Sequence, residues 1–182
     1  MRTTAPGIRA RVCSTPELGE AERLALRALL DAAFEGDFSD DDWAHALGGV
    51  HALLSEAGDG RLLAHASLVP RTLFVGARRI DAGYLEAVAT RPDAQGRGLG
   101  THVVQLLEAA LANHPLCALS TSAHGFYERL GWVRWQGPTW VLGADGVRRR
   151  SAEEDVGIMV RPASSWDLAA DLCCEDRTGD AW

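Results

Sequence analysis

A glycine-rich segment, Gln95-Gly96-Arg97-Gly98-Leu99-Gly100-Thr101, contains the residue types that most directly indicate chemistry. It follows an apolar, strand-like run from Tyr84 to Thr90 and opens an amphipathic pattern from Leu99 to Ala112. Glycines let the backbone turn tightly, and the first turn of a helix offers unpaired N–H groups, so this order predicts a site for an anion such as pyrophosphate. The spacing is neither that of a P-loop nor GxGxxG, and a helix start without a ligand is the alternative.

Two further side chains have acid–base chemistry. Glu86 interrupts the apolar run. Because a carboxylate is costly to bury there unless it is paired or has a function, we expect Glu86 to accept a proton from an amine. The alternative is a glutamate on the solvent face of an edge strand. Tyr127 lies in the segment Ala123–Trp132, and its phenol, with a pKa of about 10, can donate a proton to a thiolate or simply pack beside Phe126.

Acidic residues cluster in three segments: Gly36–Trp43, Glu153–Asp155 and Gly179–Trp182. Taken singly, each is explained by solvated charge or by compensation of a helix dipole. Together with Glu86 they predict a cavity that binds a polycation. Flat faces for sugar rings or cationic groups would come from Trp43, Trp135 and Trp182.

Apolar periodicity and turn residues predict the elements that must position these groups. The predicted strands are Ile8–Cys13, His51–Glu56, Arg61–Pro70, Leu73–Val75, Arg79–Thr90, Leu116–Thr121, Trp132–Trp135, Thr139–Leu142 and Val156–Val160. The predicted helices start at Thr15 and Ser39 and cover Leu99–Ala112 and Ala123–Leu130. Antiparallel meanders with one strand–helix–strand crossover predict an α+β fold with helices on both faces of the sheet. The Arg148–Arg150 run is predicted to be a solvated loop.

Composition limits the function further. The length predicts one domain over residues 1–182, and the net charge of −7 argues against nucleic acid as a partner. No segment is long and apolar enough to span a membrane, so we expect a soluble cytoplasmic protein. The cysteines lack Cys-x-x-Cys spacing, which favours free thiols, although Cys173 and Cys174 can be a ligand pair. The six histidines are scattered, and no metal site is predicted.

The glycine segment resembles the pyrophosphate loop, Gln/Arg-x-x-Gly-x-Gly/Ala, of the GCN5-related N-acetyltransferase superfamily. Ala123–Trp132 resembles that superfamily's Ala-x-x-Phe-Tyr-x-x-x-Gly-Phe/Trp segment. The resemblance implies the superfamily fold, a sheet that splays open at the cofactor, acetyl-CoA as cosubstrate, and Tyr127 as general acid. The implied acetyl-CoA-binding residues are Val88, Ala89, Thr90, Gln95, Gly96, Arg97, Gly98, Leu99, Gly100 and Thr101.

Segments along nearly the whole chain resemble the aminoglycoside 2'-N-acetyltransferases within that superfamily. They are Gly36–Trp43, Leu47–Leu53, Gly83–Ala89, Gly131–Thr139 and Gly179–Trp182. The resemblance implies a homodimer in which Glu86 is the base, through water, and Tyr127 the acid. The implied substrate-binding residues are Asp37, Asp42, Glu86, Ala87, Ser120, Glu154, Asp155, Asp180 and Trp182. An acetyltransferase for a polyamine, amino sugar or cell-wall precursor, and a non-catalytic binding protein, remain the alternatives.

Overall fold

The computed structural model describes residues 7–162 and 164–182, which contain ten strands and five α-helices. The strands are β1 (Ile8–Ser14), β2 (Val50–Glu56), β3 (Leu62–Val75), β4 (Arg78–Thr90), β5 (Cys117–Ser120), β6 (Val133–Arg134), β7 (Thr139–Leu142), β8 (Arg148–Arg150), β9 (Ile158–Arg161) and β10 (Leu172–Glu175). The helices are α1 (Glu20–Ala33), α2 (Asp40–His45), α3 (Leu99–Leu106), α4 (Glu108–Leu111) and α5 (His124–Glu128). None of the helices in these two ranges is long and apolar enough to cross a membrane.

The chain divides into two compact units. The first unit comprises the residues up to Val69 together with Leu85–Leu111, and the second comprises Pro70–Tyr84 together with Ala112–Trp182. Strands β3 and β4 therefore each contribute one part to either unit.

In the first unit, β2 pairs antiparallel with both β1 and β3. The β2–β3 register places His51 opposite Ser67 and Leu53 opposite His65, with a shift after Leu54. The residue before β2 is Gly49. Only glycine fits there, because a Cβ at that position would lie 2.0 Å from the carbonyl oxygen of Leu68. Apolar side chains from α1 and the strands form one core, which consists of Cys13, Leu18, Leu26, Leu29, Leu30, Phe38, Leu53, Leu62 and Ala89.

In the second unit, the strand order is β6-β9-β5-β4-β3-β10-β7-β8. Strand β4 pairs parallel with β5 at Gly83 and Cys117, after the helical crossover, while β5–β9, β6–β9 and β7–β8 are antiparallel. Strand β10 pairs antiparallel with β3 and parallel with β7. The predicted mixture of antiparallel pairs with a strand–helix–strand crossover is confirmed.

Several predicted boundaries differ from the observed ones. Thr15–Glu17 is a 3-10 turn, because the carboxylate of Glu17 accepts bonds from the amide and hydroxyl of Ser14 (2.7 and 2.6 Å), and α1 begins only at Glu20. The strand before Pro70 continues to Val75, since proline's fixed φ is compatible with an extended chain. The Arg148–Arg150 run, predicted as a loop, is the exposed strand β8.

Candidate active site

The glycine segment starts α3 in the predicted way. Gly96 and Gly98 have φ of +74° and +75°, a conformation that side chains disfavour, and Gly98 is the N-cap of α3. No side chain caps this end, and the first turn of α3 contains no acidic residue. A Cβ added at Gly96 or Gly98 would meet nothing within 4 Å. The unpaired first-turn N–H groups and the positive end of the helix dipole can therefore bind an anion.

An ion-pair network fixes the 3-10 turn, Pro92–Ala94, that leads into this segment. The carboxylate of Asp93 contacts both Arg61 (2.8 Å) and Arg91 (3.1 Å), and Arg61 also contacts Glu56 (2.7 Å). The bonds from Arg91 and Arg61 lower the pKa of Asp93 below its ordinary value. Through Arg61, these ion pairs therefore fix the turn to Glu56 at the end of β2.

Glu86 is half-buried in β4, within the first unit. Its neighbour Ala87 has φ of +49°, which is unusual for a residue that has a Cβ and lies inside a strand. Side chains of β3 bind the two successive carbonyl oxygens: the hydroxyl of Ser67 donates to that of Glu86 (3.3 Å), and a ring nitrogen of His65 donates to that of Ala87 (2.9 Å). The strand is thus locally distorted at the predicted base.

Asp37 and Asp42 flank the start of α2, also in the first unit. Asp42 accepts bonds from the amide and hydroxyl of Ser39, each at 2.8 Å, and Ser39 accepts the Asp42 amide at 3.1 Å, so a capping box forms at the predicted helix start. Arg27 binds Asp40 (2.8 Å) and the carbonyl of Phe38 (3.0 Å). Asp37 lies exposed beside this braced segment.

In the second unit, Tyr127 lies on the short helix α5 and is 8% exposed. Its ring meets those of Phe126 (centroids 4.8 Å apart) and Trp132 (6.2 Å) edge-on. The turn at Gly131, with φ of +83°, brings the amide of Trp132 to the carbonyl of Tyr127 (3.1 Å). Burial raises the pKa of the Tyr127 phenol above its ordinary value, so the group stays protonated and available as a donor.

Ser120 and Glu154 meet in the second unit. The Ser120 hydroxyl donates to the Glu154 carboxylate (3.2 Å), and Gly157 leaves the space, since a Cβ there would lie 3.1 Å from that hydroxyl. Burial raises the pKa of Glu154, the charges of Asp180 and Glu153 add to this, and the Ser120 bond opposes it. Glu154 and Asp180 therefore repel each other, and a cation would relieve this repulsion.

Asp155 is already engaged by its own unit. One oxygen accepts the amide and hydroxyl of Thr139, both at 2.9 Å, and Arg150 binds both carboxylate oxygens. The bond from Arg150 lowers the pKa of Asp155 to about 2, with a contribution from Thr139. The buried Thr139 hydroxyl also accepts from Ser151 (3.1 Å), whose hydroxyl accepts the indole N–H of Trp182 (3.1 Å). Asp155 thus ends a chain of bonds that fixes the C-terminal tryptophan.

The two units hold the predicted site residues separately. The first holds Asp37, Asp42, Glu86, Ala87 and the implied acetyl-CoA residues; the second holds Ser120, Tyr127, Glu154, Asp155, Asp180 and Trp182. Sequence reasoning did not identify Thr139, Ser151 or Arg177, which donates to the carbonyl oxygens of Asp180 (2.8 Å) and Trp182 (3.3 Å). The available signal for Thr139 was its place at the end of Gly131–Thr139, one of the segments that carry the family resemblance. Among the described residues, no cluster of three or more His, Cys, Asp or Glu is arranged to hold a metal ion.

Comparison with protein families and curated proteins indicates what this scaffold is similar to. Residues 20–132 match the model of the acetyltransferase (GNAT) family. The chain is 43% identical over 181 residues to an aminoglycoside 2'-N-acetyltransferase from Mycolicibacterium fortuitum, and the match covers 95% of this chain and 91% of the relative. The similarity therefore extends across both units.

Solved structures are similar in fold. A GNAT family N-acetyltransferase (YhbS) from Escherichia coli, in complex with CoA, has a TM-score of 0.66 and 14% identity, with 98% of both chains covered. A GNAT family acetyltransferase from Brucella melitensis, in complex with acetyl-CoA, has a TM-score of 0.54 and 22% identity, with 70% of this chain and 84% of the other covered. These matches and the family model confirm the predicted acyltransferase fold of α+β class.

Proposed function

Because the chain belongs to the acetyltransferase (GNAT) family, we propose that it transfers the acetyl group of acetyl-CoA to the 2'-amine of aminoglycoside antibiotics. The observation that carries the proposal is the 43% identity, over 95% of the chain, to an aminoglycoside 2'-N-acetyltransferase. We further propose that the protein acts in the cytoplasm, where acetyl-CoA is available, and as a homodimer, as the family resemblance implies.

The glycine segment is our proposed pyrophosphate site for acetyl-CoA. The uncapped start of α3 supports this role, because Gly98 leaves the first-turn N–H groups to a ligand. The backbone of Val88–Thr90 in β4 would bind the pantetheine arm as an added strand does. The solved structures from Escherichia coli and Brucella melitensis are complexes with CoA and acetyl-CoA respectively.

The acidic residues are our proposed anchors for the drug's ammonium groups. Glu154 is the strongest of them on physical grounds, because burial and the Asp180 charge already raise its pKa and an ammonium group would stabilise its charged form. Asp37 is exposed and can bind a second amine. Bonds within the second unit already occupy Asp155 and Trp182, so these two residues would hold parts of the site in place and would not bind an ammonium group directly.

The reaction forms one C–N bond and breaks one C–S bond. The neutral amine attacks the thioester carbonyl, Glu86 accepts the amine proton through a water molecule, and Tyr127 gives its proton to the departing CoA thiolate. The raised pKa of the buried Tyr127 keeps that proton in place until the thiolate forms. The product is an amide, so the antibiotic loses one positive charge.

The first test compares two polycations that differ at the reacting position. Tobramycin has an amine at the 2' carbon and kanamycin A has a hydroxyl there. We expect thiol release from acetyl-CoA with tobramycin only, and the acetyl group on its 2' nitrogen by NMR. Equal turnover of both drugs would reduce the proposal to an acetyltransferase for another amine, and no turnover of either would favour a binding protein.

The second test uses the two tyrosines of the chain. Tyr127→Phe removes the proton donor and keeps the ring, so we expect kcat to fall about 100-fold while the Kd for CoA is unchanged. Tyr84→Phe is the matched control, because Tyr84 is also buried, and we expect its kcat to stay within about threefold of the natural enzyme. Equal kcat in both variants would contradict the assignment of Tyr127.

A further inference from the structure

Two histidines lie fully buried next to each other in the first unit, and neither has a part in the chemistry above. His51 on β2 and His65 on β3 are both 0% exposed. Nδ1 of His51 is 3.0 Å from Nε2 of His65, and the ring centroids are 5.3 Å apart. Two imidazoles are expensive to bury compared with apolar side chains of similar size, unless their ring nitrogens are all bonded.

The pair is continued at both ends by hydrogen bonds. Nδ1 of His65 lies 2.9 Å from the carbonyl oxygen of Ala87, and Nε2 of His51 lies 2.7 Å from the hydroxyl of Thr15. That hydroxyl accepts the amide of Gly48 at 2.8 Å. All four ring nitrogens therefore have partners, and the pair is the centre of a chain that runs from the Gly48 amide to the Ala87 carbonyl.

Only one arrangement of protons satisfies the whole chain with neutral rings. A carbonyl can only accept, so Nδ1 of His65 must carry the proton and its Nε2 must accept from Nδ1–H of His51. Nε2 of His51 then accepts the Thr15 hydroxyl proton. Burial lowers the pKa of both rings, to about 4 for His51 and about 3 for His65, so both are neutral near pH 7.

The end of this chain lies at the distorted point of β4. Ala87 has φ of +49°, a region that residues with a Cβ rarely occupy without support from their surroundings. Its carbonyl is the acceptor of the His65 bond, and the preceding carbonyl, that of Glu86, accepts the Ser67 hydroxyl. Because side chains alternate along a regular strand, the left-handed conformation at Ala87 changes how the adjacent Glu86 side chain is placed relative to the residues that follow it.

We propose that His65 and His51 are positioning residues, whose bond to the Ala87 carbonyl holds the left-handed backbone there and thereby aims the Glu86 carboxylate. This inference rests on the proposed function, in which Glu86 is the base. The bond to the carbonyl fixes the tautomer of both rings, because a carbonyl can only accept and each neutral ring then has one donor and one acceptor. Simple filling of the core would not require donors and acceptors to be matched in this way.

Two substitutions at one position separate positioning from packing. His65→Asn keeps a side-chain N–H close to the place of Nδ1, whereas His65→Leu fills the space without a donor. We expect His65→Leu to lower kcat about 30-fold, since small misplacements of a reacting group are costly, with the Kd for CoA changed less than about threefold. We expect His65→Asn to recover kcat to within about fivefold of the natural enzyme. Equal kcat in the two variants, per folded molecule, would overturn the proposal.

A readout without turnover keeps this result separate from the proposed function. In protein labelled with 15N, NMR should find the proton of both His51 and His65 on Nδ1, and the backbone shifts of Ala87 should move in His65→Leu and return in His65→Asn. Unmoved Ala87 shifts in His65→Leu, or protons on Nε2, would overturn the positioning role. Failure of the natural enzyme to acetylate any amine would instead contradict the proposed function, while the Ala87 shifts still decide the positioning role.

Discussion

Mild acid should destabilise this fold through its buried histidines. In the folded chain, burial lowers the pKa of His51 to about 4; the Arg23 charge adds to this and Glu22 opposes it. Burial likewise lowers the pKa of His65 to about 3; the Ala87 carbonyl opposes this and His51 adds to it. In the unfolded chain both should titrate at about 6.5.

The sign follows from which state takes up protons first. Below about pH 6.5 the unfolded chain binds two protons that the folded chain does not, so the free energy of unfolding falls as the pH falls. This part of the stability is complete above that pH and is lost progressively down to the folded pKa values. At pH 5.5 each histidine costs about 1.4 kcal/mol, so the pair should remove about 3 kcal/mol between pH 7.5 and pH 5.5.

Urea unfolding at the two pH values measures this loss directly, through the midpoint at a constant m-value. His65→Asn is the matched variant, because it retains a buried donor but removes one titrating ring. It should lose only about half as much stability between the same two pH values. A loss in the natural protein well under 1 kcal/mol, or an equal loss in both proteins, would refute the reasoning that both rings are neutral and buried.

Two further substitutions test the anion site and the C-terminal network. Gly98→Ala places a side chain at φ of +75°, so it should lower the free energy of unfolding by about 1–2 kcal/mol and raise the Kd for CoA about tenfold, measured by calorimetry on the folded protein. Asp155→Asn should lower the free energy of unfolding by about 1–2 kcal/mol in urea, because it weakens the bonds to Arg150 and Thr139. Asp37→Asn is its control and should raise KM for the antibiotic without changing stability, because Asp37 is exposed.

Local sequence signals predicted one helix start correctly and placed another too early. A helix is predicted to start at Ser39, and Ser39 and Asp42 do cap α2 there, because the bonds involved span only three residues. The same reasoning failed at Thr15, where Ser14 and Glu17 make a tighter turn first and delay α1 to Glu20. Both segments have a cap residue with an acid three positions later, and only the structure shows which one continues as an α-helix.

The sequence pattern did not predict two strands, β10 and β8. β10 is not among the predicted strands, because Leu172–Glu175 is short and pairs with β3 and β7, which lie far away along the chain. β8 consists only of arginines, which pattern analysis assigns to solvent. The structure places the guanidinium of Arg148 over the ring of Phe74 (5.4 Å) and that of Arg150 over Trp140 (5.6 Å), so long side chains support an exposed edge strand.

The sequence could not show that two adjacent acidic residues of the predicted substrate site have different roles. Glu154 and Asp155 are adjacent in a run of three acids, and both were predicted to bind substrate. Asp155 faces Arg150 and Thr139 and has a lowered pKa, whereas Glu154 is partly buried near Asp180 and has a raised one. The two side chains differ because successive residues at the end of the short 3-10 turn Ala152–Glu154 point in different directions. Composition does not predict which of them faces Arg150.

The buried histidines show why such support is hard to find from sequence even when each residue is visible. His51 and His65 are fourteen positions apart, and they meet only because the register pairs His51 with Ser67 and so leaves the two rings diagonal across β2 and β3. The acceptor of their chain is the carbonyl of Ala87, a group that every residue has and that no side-chain pattern marks. A motif search therefore finds Glu86, the proposed base, before it finds the groups proposed to hold its neighbouring backbone. Those groups are identified only from the hydrogen bonds of the structure.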